Sequence, residues 1–236
     1  MNTVSDTLRW FFEGGHWSGR AGVPYRLLEH VGLTAGAVLL ACLVALPVAL
    51  TLGHIGRGGV LAVNISNVGR AVPTFAILVL FAASPIGFGN RATLLALWIF
   101  AIPPILTNAY VGMRAVDDEV REAAVGMGMT GGELLRRVEV PLALPLIAAG
   151  IRTAAVQVVA TATLAAVVGG GGLGRFIVDG FGQQDQPMLL AGALLVALLA
   201  LVTELSLGAV QARLTPGRRA AAALPAAEAA VAPAAV

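Results

Sequence analysis

The polar side chains that could do work in this chain crowd into one stretch, Glu119-Val-Arg-Glu122-Ala-Ala-Val-Gly-Met-Gly128-Met-Thr130-Gly-Gly-Glu133, which runs on to Val138-Glu-Val-Pro141. A nucleotide cradle of the form GxxxxGK[ST] needs a lysine, and all fifteen basic residues here are arginine. The one glycine run, Gly169 to Gly174, also lacks a following Ser or Thr, so it reads as a flexible or tightly turning connection. Cys42 is the single cysteine and lies in an apolar run, which excludes an intramolecular disulfide and argues against a metal cluster. No catalytic residue, cofactor or metal is read from the sequence. What the polar stretch offers is recognition: a compact amphipathic island in an oily chain is a docking surface.

Local signals give the island a shape. Asp117 is an N-cap, and Asp118 and Glu119 in the next turn suit the positive end of a helix dipole. A helix should run from there to about Met127, where Gly126, Gly128, Gly131 and Gly132 interrupt it. Thr130 and Glu133 have the spacing of a capping box, so a second helix should begin there. Pro141 ends that ladder or starts the next element. Small residues at Ala123, Ala124, Gly126 and Gly128 would let another protein approach the backbone closely.

The elements that must position this island are membrane spans. Hydrophobic residues make up 58% of the 236, only 12% are charged and mean hydropathy is +0.86, well outside the composition of soluble domains. Crossing the hydrocarbon takes about 20 apolar residues as a helix, and five stretches qualify or nearly do, near 31–53, 60–83, 92–113, 143–168 and 187–210. The second carries Asn64, Asn67 and Arg70 early in its length. Placing the island inside puts eight of the arginines outside the spans in the cytoplasm against five on the other side, which orients the chain N-terminus out and C-terminus in. A sixth span would reverse the N-terminal side alone. The aromatic and charged residues before position 30 suit a segment at the membrane interface. The pI of 9.3 comes with a net charge of only +2 and implies no nucleic-acid affinity.

With these residues in view, the chain resembles a known family. Glu122-Ala123-Ala124, then Gly128, then Val138-x-Val140-Pro141 is similar to the EAA loop of permease subunits of binding-protein-dependent ATP-binding-cassette importers. The family pattern ends in Ile-x-Leu-Pro, so Val138 and Val140 are conservative departures. Ala101-Ile-Pro-Pro-Ile-Leu-Thr-Asn-Ala-Tyr110, Gly126-Met-Gly-Met-Thr130, Ala154-Ala-Val-Gln157-Val-Val-Ala-Thr161-Ala-Thr163-Leu and the glycine run look like the osmoprotectant branch, which takes up glycine betaine, carnitine, choline and related solutes. The likeness covers roughly residues 26–213.

The resemblance implies an all-α integral membrane protein of five or six spans with the MetI-like permease fold. Its loop at 114–141 would be the coupling helices, with Glu122, Ala123, Ala124, Gly128, Val138 and Pro141 at the contact with a cytoplasmic ATPase that supplies the hydrolysis. The further partners implied are a second permease copy or paralogue, an extracytoplasmic solute-binding protein and the lipid bilayer of a bacterial inner membrane. The domain plan has an extracytoplasmic or interfacial segment at 1–30, the transmembrane domain at 31–213 and a disordered Ala- and Pro-rich cytoplasmic tail at 214–236. A permease for another small solute, such as an amino acid, taurine or nitrate, is the alternative within the class. An ion-coupled secondary transporter is the alternative outside it, with Glu204 as the only acid well within a span.

Polar groups inside spans are costly unless they face protein or water, so Asn108, Thr153, Gln157 and Thr161 are the candidates for a translocation path. The last three recur at helical spacing and share one face. Each Thr could instead bond its own helix, and the group could serve an interhelical contact. The rings in the spans, Phe75, Phe81, Trp98, Phe100 and Tyr110, form no tight cluster that could cage a quaternary ammonium group by cation–π attraction. High-affinity recognition is therefore expected on the separate binding protein.

Overall fold

The computed structural model describes residues 3–214, except for the side chains of Val60, Ile65, Asn67, Arg70 and Ala71. The expected tail at 214–236 therefore lies outside the described residues beyond Leu214, as do the side chains of Asn67 and Arg70 in the second apolar stretch. All regular structure among the described residues is helical.

The core rests on two matching four-residue ladders. α2 (Val23–Ile55) presents Ala37, Ala41, Ala45, Ala49 and Gly53 along one stripe, all buried. α5 (Asn90–Arg114) answers with Leu97, Ala101, Ile105, Ala109 and Met113, each with no exposed surface. A seam of small residues lets two backbones approach closely, the device that substitutes for hydrophobic driving force between helices in lipid. At Gly53 the approach is so tight that a Cβ would stand 2.4 Å from Met113 Cβ. α8 (Val140–Thr161) covers the other side of α5, where Gly150 faces Asn108 and the Pro104 carbonyl.

Around this three-helix core lie the remaining elements. α1 (Thr3–Phe12) packs on α10 (Gln186–Leu214), with Trp10 buried edge-on against Phe176 of α9 (Gly174–Gln183). α3 (Gly59–Ala71) and α4 (Thr74–Ala83) both lean on α5. α6 (Asp118–Gly126) and α7 (Gly131–Leu134) form the polar pair, and α7 continues through a π-helical turn, Leu135–Glu139, into α8. α8 in turn tightens into a 3₁₀ stretch, Ala162–Val168, before the glycine run.

Among the described residues, four helical runs are long and apolar enough to cross a membrane: Val23–Ile55, Asn90–Arg114, Gly131–Val168 and Gln186–Leu214. α2, with 33 residues, is about 50 Å long, more than the hydrocarbon needs. The expected span at 60–83 is broken in two. Pro73 offers no amide, and Val72 before it takes the extended conformation that a following proline favours (φ −75°, ψ 123°). α4 is left with ten residues, about 15 Å, too short to cross alone. A further departure is α9, a short amphipathic helix in the connection after the glycine run.

Candidate functional site

The polar pair folds as its local signals require. The Asp117 carboxylate accepts from the Glu119 amide at 2.9 Å and caps α6, with Asp118 and Glu119 in the first turn. α6 closes on Gly128, whose φ of +83° is a left-handed value that an L side chain rarely takes. The Gly128 amide donates to Val125 O and the Met129 amide to Ala124 O. Thr130 then opens α7 with a complete capping box, its amide donating to Glu133 Oε2 at 3.0 Å and its hydroxyl oxygen accepting from the Glu133 amide. Replacing Thr130 with Ala is expected to cost about 1 kcal/mol locally. Amide hydrogen exchange over 130–134 would rise in that variant, and unchanged exchange would show that the cap is dispensable.

The pair presents one face outward and one inward. Glu122, Ala123 and Gly128 are exposed, and so are Val120 and Met127, which stand at i and i+7 with Ala123 on the same side of α6. Ala124 is 2% exposed, and its small side chain lets α6 lie close to the rest of this chain. Val138 is half-buried, and Pro141 is exposed in the first turn of α8.

Beneath the pair sits a buried charge that sequence reasoning missed. Glu139 ends the π turn and is 1% exposed. Its Oε2 lies 2.5 Å from His54 Nδ1 in the last turn of α2, and its Oε1 lies 3.3 Å from Arg121 Nε on α6. The Arg121 N–H does not point at that oxygen, so the contact is an ion pair and not a hydrogen bond.

The path candidates divide. Thr153 and Gln157 are exposed on α8 and Thr161 is half-buried, so their shared face is turned away from the core of this chain. The Thr161 hydroxyl donates to the Gln157 carbonyl at 2.8 Å, the local bond that makes a Thr tolerable in a span. Asn108 donates to the Pro104 carbonyl and abuts Gly150, seven residues and so about two turns before Gln157 on the same side of α8. It therefore packs at the α5–α8 contact, about two turns along the side of α8 that carries Gln157. Asn64 is exposed on α3. Glu204 is paired with Arg152 at 3.5 Å, joining α10 to α8, which accounts for two charges at membrane depth without an ion-coupling role.

At the opposite end of the core, the glycine run is pinned. Gly171 donates to Asn90 Oδ1, Gly172 to Glu29 Oε2 and Leu173 to His30 Nδ1. His30 is fully buried and passes its other nitrogen to the Val159 carbonyl. A Cβ at Gly171 would collide with the Glu29 carboxylate. The run is thus a fixed turn that ties α8 to the first turns of α2 and α5.

Residues 37–216 match the family described as binding-protein-dependent transport system inner membrane components. The chain belongs to that family. Among relatives of this permease, the carnitine transport permease protein OpuCB of Listeria monocytogenes is 38% identical over 206 residues, 87% of this chain and 92% of that one. The choline transport system permease protein OpuBB of Bacillus subtilis is 38% identical over 192 residues, 81% and 88% of the two chains. The glycine betaine/carnitine/choline permease OpuCB of the same organism is 35% identical over the same shares. In structure, the permease is similar to a chain of the inward-facing MetNI methionine transporter, with a TM-score of 0.70 at 20% identity over 82% of this chain and 96% of that one. The permease thus has the MetI-like fold, is a transport subunit of the inner membrane and not an enzyme, and works with an ATPase and a solute-binding protein.

Of the residues missed from sequence, Glu139 had a faint signal. An acid between Val138 and Val140 breaks an otherwise apolar run, but its partner His54 lies 85 positions away and no local rule connects them.

Proposed function

We propose that this permease carries osmoprotectants of the glycine betaine, carnitine and choline class across the membrane in an ATP-driven importer. The observation that carries the reading is the agreement of its relatives: three permeases named for these solutes match at 35–38% identity over more than 80% of the chain. Two permeases would pair around the open face of α8, so that Thr153, Gln157 and Thr161 line a weakly binding path between them. Polar groups on a span are tolerated where they meet protein or water, and a path between two copies provides both. Glu122, Ala123 and Gly128 would meet the ATPase in the cytoplasm, with Val120 and Met127 as the apolar part of that contact. Ala124, Val138 and Pro141 shape the loop from within and at its exit.

Reconstitution with the partner ATPase and binding protein tests the assignment. Uptake of labelled choline, carnitine or glycine betaine should require all three components and stop when the phosphate-loop Lys of the ATPase is replaced. Uptake that survives that replacement would overturn ATP drive. Uptake of an unrelated amino acid, with none of the quaternary ammonium solutes, would overturn the substrate class.

A further inference from the structure

Glu139 joins elements that the chain itself leaves apart. Its carboxylate takes His54 from the last turn of α2 on one oxygen and Arg121 from α6 on the other. Arg121 also donates through Nη2 to the Met113 carbonyl near the end of α5. The end of α2, the end of α5, the exposed helix α6 and the start of α8 therefore meet at one buried carboxylate. The contact surroundings are tight: a Cβ at Gly53, beside His54, would strike Met113, and one at Gly131 would come within 3.4 Å of His54 Nε2.

The connectivity gives this cluster its significance. α6 follows α5 through a short turn, and α7 runs directly into α8, so a push on the pair reaches both along the backbone. α2 has no such link, because α3, α4 and α5 intervene in the chain. Its apolar seam joins it to α5, and its polar link to the pair, through Glu139, is His54. The π turn sets the geometry, since one added residue turns everything after it by about 100° around the helix. Such turns recur at functional sites. A carboxylate buried this deeply holds its partners firmly, because stranding any one of the charges is strongly unfavourable.

We propose that His54, Arg121 and Glu139 form a latch that recruits α2 to the motion of the coupling pair. Displacement delivered to α6 then moves α2, α5 and α8 as one body. All three are positioning residues, and the proposal rests on the reading of α6 as the ATPase contact.

The test uses the full transporter in proteoliposomes, with three readouts: ATPase association, ATP hydrolysis and solute moved per ATP. Glu139→Gln keeps the shape and a hydrogen bond to His54 but removes the charge. It should bind the ATPase normally and still hydrolyse ATP, while solute moved per ATP falls at least about fivefold, the lower end of typical coupling between sites. A purely structural role would instead lower transport and hydrolysis together, in proportion to assembled complex. The triple variant His54→Leu, Arg121→Met, Glu139→Leu replaces all three polar members of the cluster with apolar ones, a change that often leaves a fold intact. It should assemble and remain poorly coupled, and it decides the matter if Glu139→Gln fails to accumulate. A wild-type ratio in the triple variant would overturn the latch. So would loss of ATPase binding in it, since the cluster would then be shaping the docking face. Glu122→Arg separates the two readings: normal ATPase binding in that variant would refute the contact face, whatever the latch variants do.

Discussion

Replacing Glu122 with Arg is expected to bring uptake to background while permease abundance in the membrane stays normal. Glu122 is exposed on α6 and makes no ion pair or hydrogen bond among the described residues, and surface substitutions away from special features usually shift stability by no more than about 0.5 kcal/mol. The outward Val120, Ala123 and Met127 are apolar, and Glu122 lies about 100° round the helix from Ala123, so a reversed charge there flanks the proposed contact. Loss of a contact hot spot costs about 2–4 kcal/mol, which is roughly 30- to 700-fold in affinity for the ATPase. Co-purification of the ATPase should therefore fail, and hydrolysis in membranes should lose its response to solute-loaded binding protein. Ala123→Trp should act in the same way by bulk. Normal uptake with either variant would remove α6 as the contact face.

The polar pair was legible in the sequence because its rules are local. An Asp cap and a capping box each act over three or four residues, and both formed as read, at Asp117 and at Thr130 with Glu133, while Gly128, read as an interruption of the helix, takes a left-handed φ. The spans were legible as composition, but their breaks depended on more. Pro73 could have kinked a helix, as Pro103 and Pro104 sit within the unbroken α5. At Pro73 the helix ends instead, with Val72 extended before it. What hides from sequence is pairing at distance. The small-residue ladder of α2 is visible in the chain, yet only contact with α5 shows that it is a seam. Asn108 is a path candidate by polarity, and only the folded contact shows that the glycine at position 150 lies across from it.

That seam carries the second large effect. Gly53→Ala adds a Cβ 2.4 Å from Met113 Cβ, and Gly150→Ala adds one 2.7 Å from Asn108 Cβ and 2.9 Å from the Pro104 carbonyl oxygen. None of these neighbours is the free end of a flexible side chain, so the helices themselves must separate. Overpacking of this kind costs about 1–3 kcal/mol, and here it also forces apart the ladder contacts above and below the site. Both variants should show lower thermal stability in detergent and reduced abundance in the membrane. Gly32→Ala is the control: it lies on the same α2, with nothing within 4 Å of the added Cβ, and trading helical Gly for Ala should leave stability equal or raise it by about 0.5–1 kcal/mol. Wild-type stability in Gly53→Ala would mean that α2 and α5 slide apart freely. Three helices that slide freely cannot carry a displacement from one face of the membrane to the other, so that result would also remove the rigid core on which any coupling through α6 depends.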